Sequence, residues 1–331
     1  MAPLVVGLSG PALLPDEAAF LARVRPVGII LFGRNVTTAE AVTALVRDAR
    51  DACNPAFVLM DQEGGRVQRL RPPLAQRMPA AAAIGAVYAK NPEAGERAAY
   101  LAGRLIAADL APYGINMPCL PVADVPVPGG HDVIGDRAYA DDPAAVARLA
   151  GAAIAGVLAG GAIPVMKHCP GHGRAMVDSH FDLPRVTADR AALETDFAPF
   201  RALSACPAAM TAHLLYEAID GARPGTLSPV VTALIREEIG FDGLLMTDDI
   251  SMEALSGGVA DRGVAALEAG VDVVLHCNGD FDEMRALGEA LPPITAAADA
   301  RVARALAARS APTVHDVDGL RAEFAACLNA P

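Results

Sequence analysis

Residues 167–180, KHCPGHGRAMVDSH, hold three of the seven histidines in the chain. His168 and His172 have the i, i+4 spacing of a zinc-binding helix. Pro170 and the nearby glycines would break such a helix, so a helical zinc site is not expected. A loop-borne zinc site made of His168, His172 and His180 stays open, because three histidines and a water satisfy zinc. The alternative is a mobile loop that carries an acid–base group.

The end of this segment, DSH, places Asp178 two residues before His180. On an extended segment both side chains project to the same face. Asp178 is therefore able to orient the imidazole and to stabilise its protonated form. Imidazole titrates near neutral pH, which suits a proton donor and acceptor. We predict that His180 exchanges protons with a substrate and that Asp178 assists it; a loop histidine with only local hydrogen bonds is the weaker alternative.

A pair of acids, Asp248 and Asp249, ends the apolar run GLLMTDD at 243–249. A carboxylate at the end of a buried strand can act as a nucleophile, a general base or a metal ligand. The purely structural interpretation is that Asp249 or Ser251 caps the next helix. We expect both: Asp248 points into a pocket, and Asp249 has a supporting role.

Further polar residues follow other predicted strands. Asp61, Arg66 and Arg69 lie in MDQEGGRVQRL, and Asp with Arg can hold sugar hydroxyls through bidentate geometry. The same residues could instead form a surface salt-bridge network. Arg137, in the loop DVIGDRAYADDP, reads as a solvated charge when taken alone. Lys167 suits a hydroxyl-rich or anionic ligand better than a divalent cation.

Short apolar strands alternate with Ala- and Leu-rich helices along the chain. We predict strands at 4–9, 28–32, 56–61, 115–125, 162–168, 208–213, 243–249 and 271–277. Helices are predicted near 15–25, 38–52, 93–111, 142–159, 187–204, 229–239, 259–269 and 281–290. Most of the strands are continuously apolar, which is typical of parallel strands buried on both faces.

This alternation predicts an α/β fold with a single (β/α)8 TIM-type barrel, in which early strands could be irregular. A doubly wound sheet would carry G-x-G-x-x-G after its first strand, and GLSGPALLP lacks it. We expect residues 1–331 to form one catalytic domain, with about 295–331 as a C-terminal helical extension. Barrel chemistry lies where strands end, and the polar residues cluster there, so the pattern favours an enzyme.

Composition excludes several function classes. The net charge of −12 disfavours a nucleic-acid partner. The uncharged stretch 149–166 touches the length of a membrane span, but Gly160, Gly161 and Pro164 split it into a helix and a strand. We expect no membrane partner and, from the first residues, no signal peptide. Six scattered cysteines, without a C-x-x-C pair, predict reduced thiols in a cytoplasmic protein.

The motifs resemble those of glycoside hydrolase family 3 β-N-acetylglucosaminidases, most closely its single-domain bacterial members that act in peptidoglycan recycling. The resemblance is carried, in order and spacing, by DQEGGRVQRL, GDRAYADDP, KHCPGHGRAMVDSH, TAHLLYEAID and TLSPVVTALIREEIGFDGLLMTDDISMEAL. It extends from about residue 5 to about residue 290.

The resemblance implies retaining hydrolysis of terminal β-linked N-acetylglucosamine. Asp248 would be the nucleophile, and His180, assisted by Asp178, the proton donor and acceptor. The substrate-binding residues would be Asp61, Arg69, Arg137, Lys167 and His168. The implied substrate is a muropeptide fragment, GlcNAc–1,6-anhydro-MurNAc with or without its stem peptide. No metal or organic cofactor is expected, and we expect a monomer. A phosphorylase of the same family, with phosphate in place of water, stays open.

The chain departs from the family pattern at Cys169, where the loop motif usually has phenylalanine. We expect a change in packing beneath the loop with little effect on the chemistry. A reactive thiol beside Lys167 and His168 is the weaker alternative, since nearby cations lower the pKa of a thiol.

Overall fold

The computed structural model describes residues 1–177, 183–312 and 316–330. Eight parallel strands form a ring, in which each strand lies beside the next one along the chain. They are β1 (Ala2–Gly7), β2 (Pro26–Leu31), β3 (Phe57–Met60), β4 (Met117–Pro118), β5 (Val165–Cys169), β6 (Ala208–Thr211), β7 (Leu244–Asp249) and β8 (Val273–His276). β8 pairs back onto β1, and a bridge between Val122 and Lys167 joins the β4 segment to β5. The predicted α/β barrel is confirmed.

Helices surround this ring and follow the strands in order. They are α1 (Pro15–Val24), α2 (Ala39–Cys53), α3 (Ala81–Lys90), α4 (Pro92–Leu110), α5 (Pro143–Ala159), α6 (Arg190–Ala202), α7 (Pro229–Ala233), α8 (Val259–Glu268), α9 (Phe281–Ala290), α10 (Ala296–Ala307) and α11 (Val317–Leu328). In the described part of the chain, no helix combines the length and the apolarity that crossing a membrane requires.

The continuous apolar runs follow from the two buried faces of each strand. In β1, Val5 packs inside the ring with inward residues of the other strands. Leu4 and Val6, its neighbours, face outward and pack in the layer between strands and helices. Successive side chains of a strand point to opposite faces, so both layers must be apolar. Polar side chains are left to the strand ends, where the pocket lies.

The fourth strand is shorter than predicted. A strand was expected over 115–125, but β4 contains only Met117–Pro118. Pro118 and Pro121 lack a backbone N–H, so the segment cannot form a continuous ladder. It still runs beside β5, where the N–H of Lys167 donates to the carbonyl oxygen of Pro121 at 3.0 Å. The irregularity expected in the early strands therefore falls on the fourth.

A short hairpin after β3 was not predicted. Residues Gln62–Gly64 and Val67–Gln68 pair antiparallel at the rim of the barrel. Gly64 and Gly65 turn the chain with φ of 102° and 55°, values that glycine adopts without steric cost. The hairpin holds the side chains at positions 61, 63 and 69 close together.

Four helical segments differ from the prediction or extend it. α3 was not predicted; the helix expected at 229–239 ends as α7 at Ala233 and continues as a π-helical turn, Leu234–Glu238. α10 lies at the amino-terminal end of the strands, where Arg301 ion-pairs with Asp272 at 2.9 Å. α11 packs on α4 and buries Phe324.

Candidate active site

A pocket at the carboxyl ends of the strands collects the predicted site residues that the structure describes. Its lining includes Asp61, Arg69, Arg137, Lys167, His168 and Asp248. These residues come from four separate segments of the sequence, and only the barrel brings the segments together. The other two predicted residues, Asp178 and His180, lie outside the described residues.

One wall of the pocket is a chain of ion pairs. Lys167 Nζ lies 2.9 Å from Asp61 Oδ1 and 2.6 Å from Glu63 Oε1. Arg69 Nη2 donates to the other Asp61 oxygen at 3.0 Å. Arg137 donates to both Glu63 oxygens at 2.8 Å, in bidentate geometry. Three cations and two carboxylates thus alternate along the wall, and each holds its neighbour in a fixed orientation.

These groups are ionised at neutral pH. Burial alone would raise the pKa of Asp61, but the charges of Lys167 and Arg69 outweigh it and lower that pKa. Burial is likewise outweighed at Glu63, where Arg137 and Lys167 lower the pKa to about 2. Burial would lower the pKa of Lys167, but the two carboxylates outweigh it and raise that pKa above its usual value. The wall therefore offers fixed charges and hydrogen bonds, and it does not exchange protons near neutral pH.

Asp248 stands apart from this wall, at the end of β7. Its Oδ1 accepts the backbone N–H of Asp249 at 2.8 Å. Among the described residues no lysine or arginine forms an ion pair with it. Burial would raise its pKa, but the nearby His168 and His213 outweigh burial and lower it. Asp248 is thus a carboxylate held ionised on a rigid strand end, with oxygen lone pairs left for a ligand.

Asp249 has the supporting role that was expected, but not through a helix cap. Its Oδ1 accepts N–H groups from Ser251 at 3.1 Å and from Cys277 at 3.0 Å. Its Oδ2 accepts the hydroxyl of Ser251 at 2.8 Å. These bonds fasten the end of β7 to the residue after β8. The cap interpretation of Asp249 is wrong, since α8 begins ten residues later, at Val259.

His213 supports the same end of β7 from the neighbouring strand. Burial lowers its pKa, so the ring is neutral at neutral pH. Its Nε2–H donates to the carbonyl oxygen of Asp249 at 2.9 Å, and its Nδ1 accepts from the hydroxyl of Thr226 at 2.7 Å. The two partners fix which ring nitrogen carries the proton.

Two histidines of the loop motif converge on one buried acid. His168 Nδ1 lies 2.7 Å from Asp124 Oδ2, and its ring lines the pocket. His172 donates its backbone N–H to Asp124 Oδ1 at 2.7 Å. Burial, and then the charge of His168, lower the pKa of the His172 ring to about 4, so that ring is neutral at neutral pH.

The remaining lining is apolar. Phe32 lies beneath the guanidinium of Arg69, whose central carbon is 5.4 Å from the ring centroid. Val133, Ile134 and Met252 add aliphatic and thioether surface. A pocket that combines charged and apolar lining suits a ligand with both hydroxyl groups and C–H faces, as in a sugar ring.

Two weaker alternatives from the sequence find less support. In the described part of the chain no group of three His, Cys, Asp or Glu side chains is placed to hold a metal, and the proposed trio includes the undescribed His180. Cys169 is buried and packs in the layer outside the ring, and burial raises the pKa of its thiol. Its burial in the apolar core favours the packing interpretation of Cys169 over the reactive thiol.

Sequence reasoning missed three residues that build this site: Glu63, Asp124 and His213. Glu63 lies inside the quoted motif between Asp61 and the glycine pair, so a carboxylate two positions from another was the available signal. Asp124 is a lone acid in an apolar run, VADV, and such an acid needs a buried partner. The partners lie more than forty residues away, so the pattern did not identify them.

Comparisons with known proteins give the family. Residues 13–307 match the model of the glycosyl hydrolase family 3 N terminal domain. A β-hexosaminidase from Alkalilimnicola ehrlichii is 41% identical over 286 residues, which cover 84% of this chain and 81% of the relative. A β-hexosaminidase from Bordetella avium is 36% identical over 329 residues, which cover 97% and 92%.

Solved structures agree. The crystal structure of NagZ from Neisseria gonorrhoeae in complex with N-trifluoroacetyl-D-glucosamine superposes with a TM-score of 0.88 at 32% identity, covering 99% of this chain and 97% of that one. Mycobacterial LpqI (M tuberculosis) superposes with a TM-score of 0.78 at 28% identity, covering 94% and 92%. From its sequence motifs, its barrel and these relatives, the chain belongs to glycosyl hydrolase family 3.

Proposed function

We propose that this glycoside hydrolase removes terminal β-linked N-acetylglucosamine from peptidoglycan fragments, with retention of configuration and through a covalent intermediate on Asp248. Its class, β-N-acetylhexosaminidase, follows from the relatives named β-hexosaminidase. The proposed substrate is GlcNAc–1,6-anhydro-MurNAc, with or without a stem peptide. That choice rests on the motif resemblance, and the N-acyl glucosamine bound by the gonococcal protein is consistent with it.

One observation carries the mechanism: an ionised carboxylate at a strand end, set against a wall of fixed donors. A retaining glycosidase needs a nucleophile on one face of the anomeric carbon and an acid–base on the other. Asp248 has no ion pair to give up, among the described residues, when it meets a sugar carbon. The low pKa of its carboxyl keeps it a nucleophile at neutral pH.

The ion-pair wall supplies the orientation. Arg69, Arg137 and Lys167 are donors whose positions are fixed by Asp61 and Glu63. We propose that they bind the hydroxyls of the non-reducing sugar, with Asp61 accepting a hydrogen bond from a hydroxyl and His168 adding a contact beside Asp248. Because the donors are held in place before the sugar binds, less ordering is needed at the moment of reaction.

We assign the acid–base role to His180, with Asp178 as its orienting partner. His180 would protonate the leaving oxygen as Asp248 attacks C1, and would then take a proton from the water that releases the sugar. The described start of this loop is anchored: Tyr216 donates its hydroxyl to the Gly171 carbonyl at 2.9 Å, and Arg174 pairs with Asp196 at 2.6 Å. Asp248 and His180 would supply the whole reaction, so we propose that no metal or organic cofactor is needed.

We further propose a single catalytic domain over residues 1–331, with a helical extension from about 295, that works as a monomer in the cytoplasm. All six cysteines are free thiols, as is usual in a reducing compartment. The partner would be the muropeptide fragment itself.

Product analysis tests the proposal. Incubated with GlcNAc–1,6-anhydro-MurNAc, the protein should release free GlcNAc, and proton NMR should show the β-anomer first, because two displacements restore the configuration. Phosphate in the buffer should not appear in the product, and a chelator should leave the rate unchanged. Release of the α-anomer first, formation of GlcNAc-1-phosphate, or a zinc-restored loss on chelation would each contradict it.

A second prediction concerns Glu63, the carboxylate that joins Arg137 to Lys167. The substitution Glu63→Gln leaves those two buried cations facing each other with one negative charge removed. We expect kcat/KM for an aryl N-acetyl-β-glucosaminide to fall about ten-fold or more, mainly through KM, because the donors lose their fixed positions. The free energy of unfolding should fall by about 3 kcal/mol, since breaking a buried pair leaves a charge uncompensated.

Glu96→Gln is the matched control for this prediction. Glu96 pairs with Arg148 at 2.8 Å, but their side chains are 41% and 63% exposed. We expect a change of unfolding free energy below about 1 kcal/mol and unchanged kinetics. Equal effects of the two substitutions would show that the Glu63 pairs have no special part in the site.

A further inference from the structure

Asp124 is a fully buried acid behind the pocket whose role no motif assigns. It follows β4, and its side chain is 0% exposed. Three donors reach its carboxylate: His168 Nδ1 at 2.7 Å, the backbone N–H of His168 at 3.2 Å, and the backbone N–H of His172 at 2.7 Å. The first reaches Oδ2, and the other two share Oδ1. Both oxygens must therefore accept.

This arrangement demands a carboxylate at position 124. Burial would raise the pKa of Asp124, but His168 and the hydrogen bonds outweigh burial and lower it. An amide has one acceptor end and one donor end, so an asparagine side chain at this position would have to turn its NH₂ toward either the backbone N–H groups or His168. Only the ring can adapt, by giving up the proton on Nδ1.

The Asp124 carboxylate also determines which ring nitrogen of His168 is left for a ligand. With Nδ1–H bound to Asp124, Nε2 is the ring nitrogen left to the pocket that His168 lines. Asp124 lies behind this ring, and His172 approaches it from the loop after β5, with ring centroids 5.4 Å apart. The other titratable groups near the ring are His213, from beyond β6, and Asp248 on β7. Lys167 precedes His168 on β5.

We propose that Asp124 is a positioning residue that acts through His168: it holds the proton on Nδ1, fixes the ring against Asp248, and so keeps the nucleophile beside a ring able to carry positive charge. The inference rests on the proposed role of Asp248 as the nucleophile. Asp124 touches no substrate in this scheme. Its effect reaches the reaction only through the imidazole and the charge that the ring presents to β7.

The test is Asp124→Asn in the full chain, with the pH profile of kcat/KM for 4-nitrophenyl N-acetyl-β-glucosaminide as readout. We expect a loss of about 10- to 100-fold at neutral pH, the size expected when a hydrogen bond to a charged group is removed. An imidazole whose Nδ1 accepts from the asparagine amide carries no positive charge. The pKa of Asp248 should then rise, and the acidic limb should move to higher pH by about one unit.

Two comparisons separate positioning from simple structural damage. Asp272→Asn removes a similarly buried carboxylate at the other end of the barrel, where it pairs with Arg236 and Arg301. It should lower stability without moving the pH profile. In a His168→Asn background, Asp124→Asn should change kcat/KM by less than about three-fold, since the imidazole through which Asp124 acts is already absent. The same loss in both backgrounds would overturn the inference.

Nitrogen-15 NMR of histidine-labelled wild-type protein gives an answer even if Asp124→Asn does not fold. The His168 signals are identified by their loss in His168→Asn. A protonated Nδ1 supports the inference, and an unprotonated Nδ1 overturns it. Trapping of a covalent sugar tests the proposed function separately. If the adduct forms on Asp248 but the pH profile of Asp124→Asn does not shift, only this inference fails. If the adduct forms on another residue, the proposed function fails.

Discussion

Asp248→Ala is expected to lower kcat/KM by roughly 10⁴-fold or more on both aryl glycosides and the proposed disaccharide, because in the proposed mechanism Asp248 forms the glycosyl intermediate. The fold should survive, since the side chain of Asp248 accepts only the N–H of Asp249 among the described residues. Azide should restore part of the turnover of an aryl glycoside and yield an α-glycosyl azide, because the small anion enters from the vacated face.

A 2-fluoro glycoside with a good leaving group gives the complementary result in the wild-type protein. It should label one residue, and peptide mass analysis should locate the sugar on Asp248. Asp282→Ala is the matched control, because that side chain is 82% exposed and lies away from the pocket. Residual activity of Asp248→Ala near that of the control, or a label on another residue, would refute the assignment.

The loss of activity caused by His180→Ala should depend on the leaving group of the substrate. General acid–base catalysis contributes about 10²- to 10⁴-fold, and the need for it grows with the basicity of the leaving oxygen. We expect the disaccharide, with its sugar alcohol leaving group, to lose the full factor. A dinitrophenyl glycoside should lose much less in the first step, so that a burst of dinitrophenol appears before slow release of the sugar.

His131→Ala is the control for this experiment. His131 is exposed on the loop that carries Arg137, and its Nδ1 accepts the backbone N–H of Val133 at 3.0 Å. Its removal should change kcat/KM by a few-fold at most, with the same factor for both substrates. If His180→Ala also slowed both substrates equally, proton transfer to the leaving group would have to come from another residue.

The barrel could be predicted because each local pattern agreed with the global fold. Continuous apolar runs, alternating with capped helices such as α2 after Thr38 and α5 after Asp142, left few other architectures. The exceptions lack such a local pattern. α3 has no side-chain cap, and Gly85 in its middle allows the carbonyl of Tyr139 to approach closer than a Cβ would permit. That contact is tertiary and leaves no periodic signal.

The site was predictable only in part, for a related reason. Residues at strand ends could be recognised by type and position, as Asp248 and Lys167 were. The partners that set their charge state could not, because pairs such as Glu63 with Arg137 or Asp124 with His168 join segments that are far apart in the sequence. A lone acid in an apolar run indicates that a partner exists, and only the register of the barrel identifies it.

The wall of ion pairs, in which each carboxylate is already matched by cations, has a consequence for inhibitor design. Asp61 and Glu63 already hold cations, so a ligand that carries an ammonium group gains little by approaching them. Asp249 already accepts hydrogen bonds from Ser251 and Cys277 with both of its oxygens, so within the described pocket Asp248 is the carboxylate left for such a cation. Cyclic amines with nitrogen near the anomeric position should therefore dock in a single orientation, and their advantage over neutral analogues should fade as acid protonates that carboxylate.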